Sequence, residues 1–469
     1  AGIDDWGGVS PVTPDHVNPE RPWPAVERIR EVTEARGFVL APRLTVYPAH
    51  AQSPDTWLDA KLRFPVMDRS DAESLGRDHP WSPGDELLPP TIVPGAPRSG
   101  GAVREVLDGV LLGQEVGEAE IVTLFGARGP EVAAVAELAD ALRREIVGDV
   151  VTFVANRNIN YTNVCTFKCK FCAFSKGPLS LNLRGAPYLL TLEDIQGRVS
   201  EAWDLGATEV CLQGGIHPDF DGDYYIDVAR AVKEAAPDIH IHGFTALEVT
   251  EGAKRLGEPL VDYLRRLQDA GLRTLPGTAA EILDDDIRAI LCPDKVNTEE
   301  WLEAHRAAHS IGLKSNITIM FGSVEQPVHW ARHMIRTRDL QRETGGFTEF
   351  VPLPFVHMAA PLYLQKKARG GPTFRETILM HAVARIAYRG YLDNIQVSWV
   401  KMGVEGVRQA LRAGCNDMGG TLMDENISRA AGASHGQGMT RPEFEALVAP
   451  LGRPLEQRTT LYGRVPANA

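Results

Sequence analysis

The chain is poor in cysteine, in basic residues and in long apolar runs, and each shortage closes off a class of protein. Six cysteines in 469 residues are too few and too scattered for a disulfide framework. Lysine and arginine number 49 against 62 aspartates and glutamates, a net charge of −13, so a nucleic-acid partner finds no electrostatic support. No apolar stretch is long enough to span a bilayer, and no secretory leader pattern is present. Hydrophobic content of 43% and charged content of 24% are those of an ordinary globular protein, long enough for more than one domain.

Three of the few cysteines stand together in Cys165-Thr166-Phe167-Lys168-Cys169-Lys170-Phe171-Cys172. A structural zinc site wants four closed ligands, usually as two separated pairs, and no second Cys or His pair lies at a suitable distance. The bacterial ferredoxin run is absent too. Three thiolates spaced Cys-x3-Cys-x2-Cys can hold three corners of a [4Fe–4S] cube and leave the fourth iron open. This arrangement resembles the radical S-adenosylmethionine (SAM) enzymes. There the open iron chelates the amino and carboxylate groups of SAM, and an electron from the cluster splits the sulfonium into a 5′-deoxyadenosyl radical. The resemblance makes Cys165, Cys169 and Cys172 the cluster ligands and places Phe171 at the SAM site. An oxygen-sensitive cluster on free thiolates fits a reducing cytoplasm. Cys211, Cys292 and Cys415 read as small core residues.

From residue 153 strands and helices alternate. Strands are expected at 153–161, 209–212, 239–244, 272–275, 315–321, 348–352 and 394–398. Helices are expected at 193–205, 224–235, 258–270, 299–311, 328–344, 374–388 and 404–413, with Thr191 a plausible cap for the first. Three more helical patterns, 102–112, 117–126 and 130–147, precede them. The alternation predicts an α/β fold, a parallel (β/α) TIM-type barrel with N-terminal helices and a C-terminal extension, its chemistry at the C-terminal ends of the strands.

The remaining motifs fall at those ends. Gln213-Gly214-Gly215 follows the second barrel strand, and paired glycines let backbone approach a ligand closely; in radical-SAM enzymes such a pair bonds the SAM amino group. Alone, Gly-Gly is a common turn. Thr318-x-Met320-x-Gly322-x-x-Glu325 resembles the Gly-x-Ile-x-Gly-x-x-Glu pattern that supports SAM adenine, with Thr in place of the first Gly. Glu281 is expected to start a helix, where the macrodipole alone would suit a carboxylate; the family reading makes it a contact to SAM ribose or the methionine amine. His217 and Asp219, and Asn416 and Asp417 in a polar loop, are substrate-contact candidates. His240-x-His242 reads as packing or polar lining. No side chain is named as catalytic.

Residues 1–50 resemble the end of the same chain. Ala1-Gly2-Ile3-Asp4-Asp5-Trp6-Gly7-Gly8 lines up with Ala413-Gly414-Cys415-Asn416-Asp417-Met418-Gly419-Gly420, and Arg43-Leu44-Thr45-Val46-Tyr47 with Arg458-Thr459-Thr460-Leu461-Tyr462. Such similarity suggests two related domains in tandem. The expected division is 1–50 as the tail of a preceding domain, 51–104 as linker, 105–150 as N-terminal helices, 151–400 as barrel core and 401–469 as extension.

Residues from about 105 to 463 resemble the CofH family, the tyrosine-using half of FO synthase. The matching segments are Asn158-Ile159-Asn160-Tyr161-Thr162-Asn163-Val164-Cys165, Leu212-Gln213-Gly214-Gly215-Ile216-His217-Pro218, Asn416-Asp417-Met418-Gly419-Gly420-Thr421 and Met423-Asp424-Glu425-Asn426-Ile427-Ser428. Residues 1 to about 48 look like the end of the companion CofG half, which precedes CofH in fused actinobacterial enzymes. The resemblance implies a [4Fe–4S] cluster and SAM as cofactors, and L-tyrosine and 5-amino-6-(D-ribitylamino)uracil as substrates. It further implies a CofG-like companion domain and a reductant such as ferredoxin or flavodoxin. Tyrosine would lose a hydrogen, its Cα–Cβ bond would break, and the 4-hydroxybenzyl group would join the uracil in deazaflavin synthesis. Aminofutalosine synthase and the dehypoxanthine futalosine cyclase of menaquinone synthesis share much of the Gly-Gly and Asn-Asp pattern. A non-catalytic iron–sulfur carrier would need neither the Gly-Gly nor the later Gly-x-x-Glu.

Overall fold

The computed structural model describes residues 4–10, 13, 16, 19–20, 24–92, 101–176 and 186–465. Residues 1–3 and 21–23 of the internal repeat lie outside them. The expected 153–161 strand is two strands with only Ala155 between, β1 (Val151–Val154) and β2 (Asn156–Ile159). Then follow β3 (Glu209–Leu212), β4 (His240–Gly243), β5 (Leu272–Leu275), β6 (Lys314–Phe321) and β7 (Phe347–Pro354). Strands β2 to β7 form one parallel sheet in sequence order. β8 (Asp417–Gly420) and β9 (Leu455–Gln457) flank β1, also parallel. The expected 394–398 strand is reduced to two bridges, Phe350 with Ile395 and Gln396 with Asp417, which carry the circuit from β7 to β8. The barrel is thus closed through β1.

Two faces of each strand differ in kind. Ile159, Val210, Leu212 and Ile241 point outward into an apolar layer with Val199, Val228 and Val232 of the surrounding helices. The alternate residues Asn156, Glu209 and His240, and above them Asn158, Cys211 and His242, pair in register on the opposite, inner face. A barrel of this class ordinarily fills its interior with Val, Ile and Leu. Here the lower and middle interior is polar: Asn156 donates to Glu209 at 2.8 Å, both His240 and His242 meet Thr274 Oγ1 at 2.8 and 2.7 Å, and Asn316 donates to Glu349 at 3.0 Å. Burial holds His240 at about 4, hence neutral, although Glu209 pulls the other way.

The three N-terminal helices form at Ala102–Leu111, Glu118–Phe125 and Pro130–Val147. A helix with no counterpart in the expected pattern, Ala246–Leu256, follows β4, and the helix expected to start at Glu281 begins at Asp285 and runs to Leu291 after β5. The stretch expected as linker carries short helices, among them Ala60–Asp68, and packs onto the barrel: Trp81 is 1% exposed, and Ala72 N donates to Glu376 at 2.7 Å. The region expected as an extension supplies β8 and β9. Both strands pair with β1.

Beyond β9 the chain turns under the barrel floor. Arg458 binds the Asp417 carboxylate with two nitrogens and reaches Glu349 at 3.2 Å; Tyr462 Oη donates to the same Glu349 at 2.6 Å. The Arg458 guanidinium lies 4.0 Å from the Tyr462 ring centre, and Asp417 also accepts from Gly419 N at 2.7 Å. The N-terminal segment repeats this clasp residue for residue. Arg43 binds Asp5 with two nitrogens, its guanidinium lies 4.4 Å from the Tyr47 ring centre, and Asp5 accepts from Gly7 N at 2.5 Å. Gly7 and Gly419 share φ values of 74° and 72°, which only glycine adopts freely.

Candidate radical SAM site

The cysteine loop leaves the C-terminal end of β2 and is stitched down from three sides. Thr166 N donates to Ile216 O at 2.9 Å, Lys170 N to Leu291 O at 2.8 Å, and Leu362 N to Lys170 O at 2.7 Å. Lys168 N donates to Asp294 Oδ2 at 2.9 Å. Cys165, Cys169 and Cys172 are free and half-buried. Ile216 N–H points at Cys165 Sγ and Ser175 N–H at Cys172 Sγ, each at 3.4 Å. Burial pushes the Cys165 and Cys169 thiols up, and the Cys172 charge adds to both.

These residues fit a [4Fe–4S] cluster. Soft thiol donors, backbone N–H groups aimed at sulfur and partial burial are what tune such a centre. Among the described residues no three His, Cys, Asp or Glu side chains converge on one ion. A cube does not require that, because each thiolate takes a different iron.

Gly214 and Gly215 are fixed by close approach. A Cβ on Gly215 would stand 2.1 Å from Val164 O and 3.0 Å from Cys165 Cβ; one on Gly214 would stand 2.3 Å from the Tyr161 ring. Gln213 lies on the inner face, its amide 3.5 Å from Cys211 Sγ, and its carbonyl accepts from Asn160 at 3.1 Å. The buried carboxylate of Glu248 ties this turn together, accepting from Gly214 N at 3.2 Å and from Tyr161 Oη. Burial raises its pKa against those bonds. Glu248 was not singled out from the sequence, yet Thr245-Ala246-Leu247-Glu248 is a readable capping box.

The other expected positions divide. Glu281 does not start a helix. It sits in the loop after β5 with φ 46°, four residues short of the helix Asp285–Leu291, so the macrodipole argument does not apply. Its carboxylate pairs with Lys295 at 2.8 Å and its carbonyl accepts from Met320 N at 2.9 Å, which puts Glu281 beside the β6 motif. Thr318 is 5% exposed. The Glu325 carboxylate folds back onto its own turn, taking N–H groups from Gly322, Ser323 and Val324, the Ser323 hydroxyl and, at 3.1 Å, the Trp330 indole. It shapes the Gly322 turn, and its bonding capacity is spent there.

The His217 ring lies 4.9 Å from Phe220, tilted by 31°, at the edge of an aromatic cluster, and the Asp219 side chain is 88% exposed. Asn416 and Asp417 are not in a loop facing substrate. Asp417 begins β8 opposite Thr152, at the N-terminal end of the barrel, and Asn416 just before it is consumed by Arg385, Ile395 N and Asn394. The loop proper starts at Thr421.

A parallel barrel with a three-cysteine loop at its C-terminal mouth defines a radical SAM protein. Residues 159–334 match the radical SAM superfamily model, and residues 344–448 the CofH/MqnC C-terminal region. The solved [FeFe]-hydrogenase maturase HydG of Carboxydothermus hydrogenoformans superposes with a TM-score of 0.60 at 14% identity, over 77% of this chain and 80% of that one. Methylornithine synthase gives 0.56 at 18%, over 74% and 97%. Both show the fold. FO synthase of Nocardia farcinica is 44% identical over 99% of this chain and 59% of its own length. FO synthase of Mycobacterium tuberculosis is 43% identical over 100% and 59%. The chain thus spans about three-fifths of these relatives. The 5-amino-6-(D-ribitylamino)uracil–L-tyrosine 4-hydroxyphenyl transferase of Methanocaldococcus jannaschii is 48% identical over 70% of this chain and 90% of its own. The chain belongs to this CofH family of radical SAM proteins, whose cofactors are a [4Fe–4S] cluster and SAM. Among the described residues no helix is long and apolar enough to cross a membrane.

Proposed function

We propose that this chain cleaves L-tyrosine and joins its 4-hydroxybenzyl group to 5-amino-6-(D-ribitylamino)uracil. The observation that carries the reading is a thiol loop closing a polar-lined barrel, in a chain 48% identical across 90% of a transferase of that name. Bound at Cys165, Cys169 and Cys172, the cluster with SAM would supply a hydrogen-abstracting carbon radical. The chain's own residues provide the rest. The backbone of Gly215 packs on Val164 and Cys165 of the thiol loop, and the corner at Glu281, bonded to Met320 of the strand that carries Thr318, reaches Phe171 of that loop through Lys295. The turn shaped by Glu325 supports that corner from the end of β6. The polar inner face offers bonding partners to the many hydroxyl and amide groups of a ribityl-uracil, as an apolar interior would not. The test is an anaerobic assay of the iron-reconstituted protein with dithionite, SAM, L-tyrosine and the ribitylaminouracil, read by mass spectrometry. 5′-Deoxyadenosine together with the hydroxybenzyl adduct supports the transferase. Deoxyadenosine alone redirects the reading to a menaquinone-type futalosine substrate, which the shared CofH/MqnC region allows.

We further propose that residues 1–50 are the closing tail of a preceding CofG-like barrel. The Asp5–Arg43–Tyr47 clasp is the floor clasp Asp417–Arg458–Tyr462 without the strand carboxylate that Glu349 supplies. Its apolar groups are correspondingly uncovered: Trp6 is 57% exposed where its counterpart Met418 is 1%. The companion barrel and a one-electron protein donor are the partners this reading requires, in a reducing cytoplasm.

A further inference from the structure

The loop after β5 brings a cation to the cysteine loop, and no motif of the sequence announces it. Arg288, itself 3% exposed, donates to the carbonyls of Val296 and Ala279 at 3.1 Å and to that of Ala280. Residues 279–296, with the helix Asp285–Leu291 among them, are thereby closed into one loop about Arg288. Its tip grips the cysteine loop at alternate residues, Asp294 on Lys168 N and Leu291 O on Lys170 N. Lys295 follows, and its ammonium lies 5.4 Å from the centre of the Phe171 ring, the residue before Cys172. Glu281 holds it at 2.8 Å, and each of the two side chains is only 11% exposed. Lys168, in the loop itself, is exposed and therefore screened by solvent.

A cube on three thiolates carries net negative charge and becomes more negative when it accepts an electron. A partly desolvated cation nearby favours the reduced form, and a neighbouring carboxylate opposes it. We propose that Lys295 is a positioning residue for this centre: its ammonium, aimed by Glu281 across Phe171, stabilises the cluster's one-electron-reduced state. The proposal rests on the cluster reading above, which iron content and the EPR signal of the unaltered protein test by themselves.

The experiment is an EPR-monitored reductive titration of reconstituted protein without SAM, with iron per chain measured on every sample. Lys295→Met is expected to lower the reduced-to-oxidised ratio at a fixed potential on the order of tenfold. Lys295→Arg should restore most of it, and Glu281→Gln should raise the ratio. Opposite shifts from the two partners of one ion pair are a signature that simple loss of packing does not produce. A Lys295→Met protein with full iron and an unchanged ratio overturns the proposal, as do shifts of the same sign in both variants. If Lys295→Met takes up no iron, Glu281→Gln decides: a raised ratio supports the proposal and an unchanged or lowered one overturns it.

Discussion

Single residues at the mouth answer to different physics, and their substitutions should separate. Cys169→Ser removes one of the three thiolates proposed to hold the cluster, so iron per chain and visible absorbance should fall to near background while the far-UV circular dichroism of the barrel persists. Gly215→Ala is a packing change. Its methyl would meet the Val164 carbonyl, and forcing backbone apart costs about 1–3 kcal/mol; a lowered melting temperature together with poorer iron uptake is expected, because Cys165 shares the displaced turn. Glu325→Ala strands several buried donors, each worth about 1–3 kcal/mol when unsatisfied. Since the Trp330 indole is one of them, a change in tryptophan emission should accompany the lower melting temperature; unchanged emission would show that the carboxylate is not where the turn requires it. The three thiols proposed as ligands stand out in the sequence because they fall within eight residues. Lys295, Glu248 and Arg458 do not, since each acquires its role only when the ends of separate strands meet.

At the scale of elements, the parallel strands and most helices could be read from alternation, and the failures have a common cause. Asp417-Met418-Gly419-Gly420 lacks the β-branched residues that mark a strand, so Asn416 and Asp417 were assigned to a loop and to substrate. Pairing with β1 and the charge of Arg458 override that weak propensity. The clasp that results is a buried ion network, and breaking one side of it is costly. Arg458→Met leaves Asp417 and Glu349 uncompensated, for which about 3–5 kcal/mol of destabilisation is expected in urea unfolding. Three fully buried helical histidines, His305, His333 and His381, help set the acid limit, and the latter two illustrate it. Burial lowers His333 to about 3 and His381 to about 4, from an ordinary 6.5. Both stay neutral in the fold while the unfolded chain takes up protons below pH 6.5, so stability present above that pH is lost as pH falls toward 4. The expected loss between pH 6.5 and 5.5 is roughly 2–3 kcal/mol for the pair, read as a lower urea midpoint; a midpoint that holds steady down to pH 5.5 would count against this assignment.

For the molecule as a whole, the two clasps set a contrast that hydrogen exchange can read. The C-terminal one is buried beneath a complete barrel, with Arg458 4% exposed and Glu349 8%. The N-terminal one repeats the Asp–Arg pair and the ring contact but, among the described residues, has no counterpart of Glu349; the helix Val26–Glu34 and Gly76 lie beside it, and Trp6, Phe38 and Tyr47 are exposed. Bonds of equal geometry differ in protection when the structure covering them differs. Amides of residues 26–47 should therefore exchange far faster than those of 455–462 in this chain. In a chain of the relatives' full length the two sets should converge, as a preceding barrel covers Arg43 and Tyr47. Arg43→Ala in that longer chain should return 26–47 to fast exchange and leave 455–462 protected. Equal exchange of 26–47 with and without the additional sequence would mean that the repeated clasp has no second barrel to close, and that its likeness to Asp417–Arg458–Tyr462 is a feature of the tail alone.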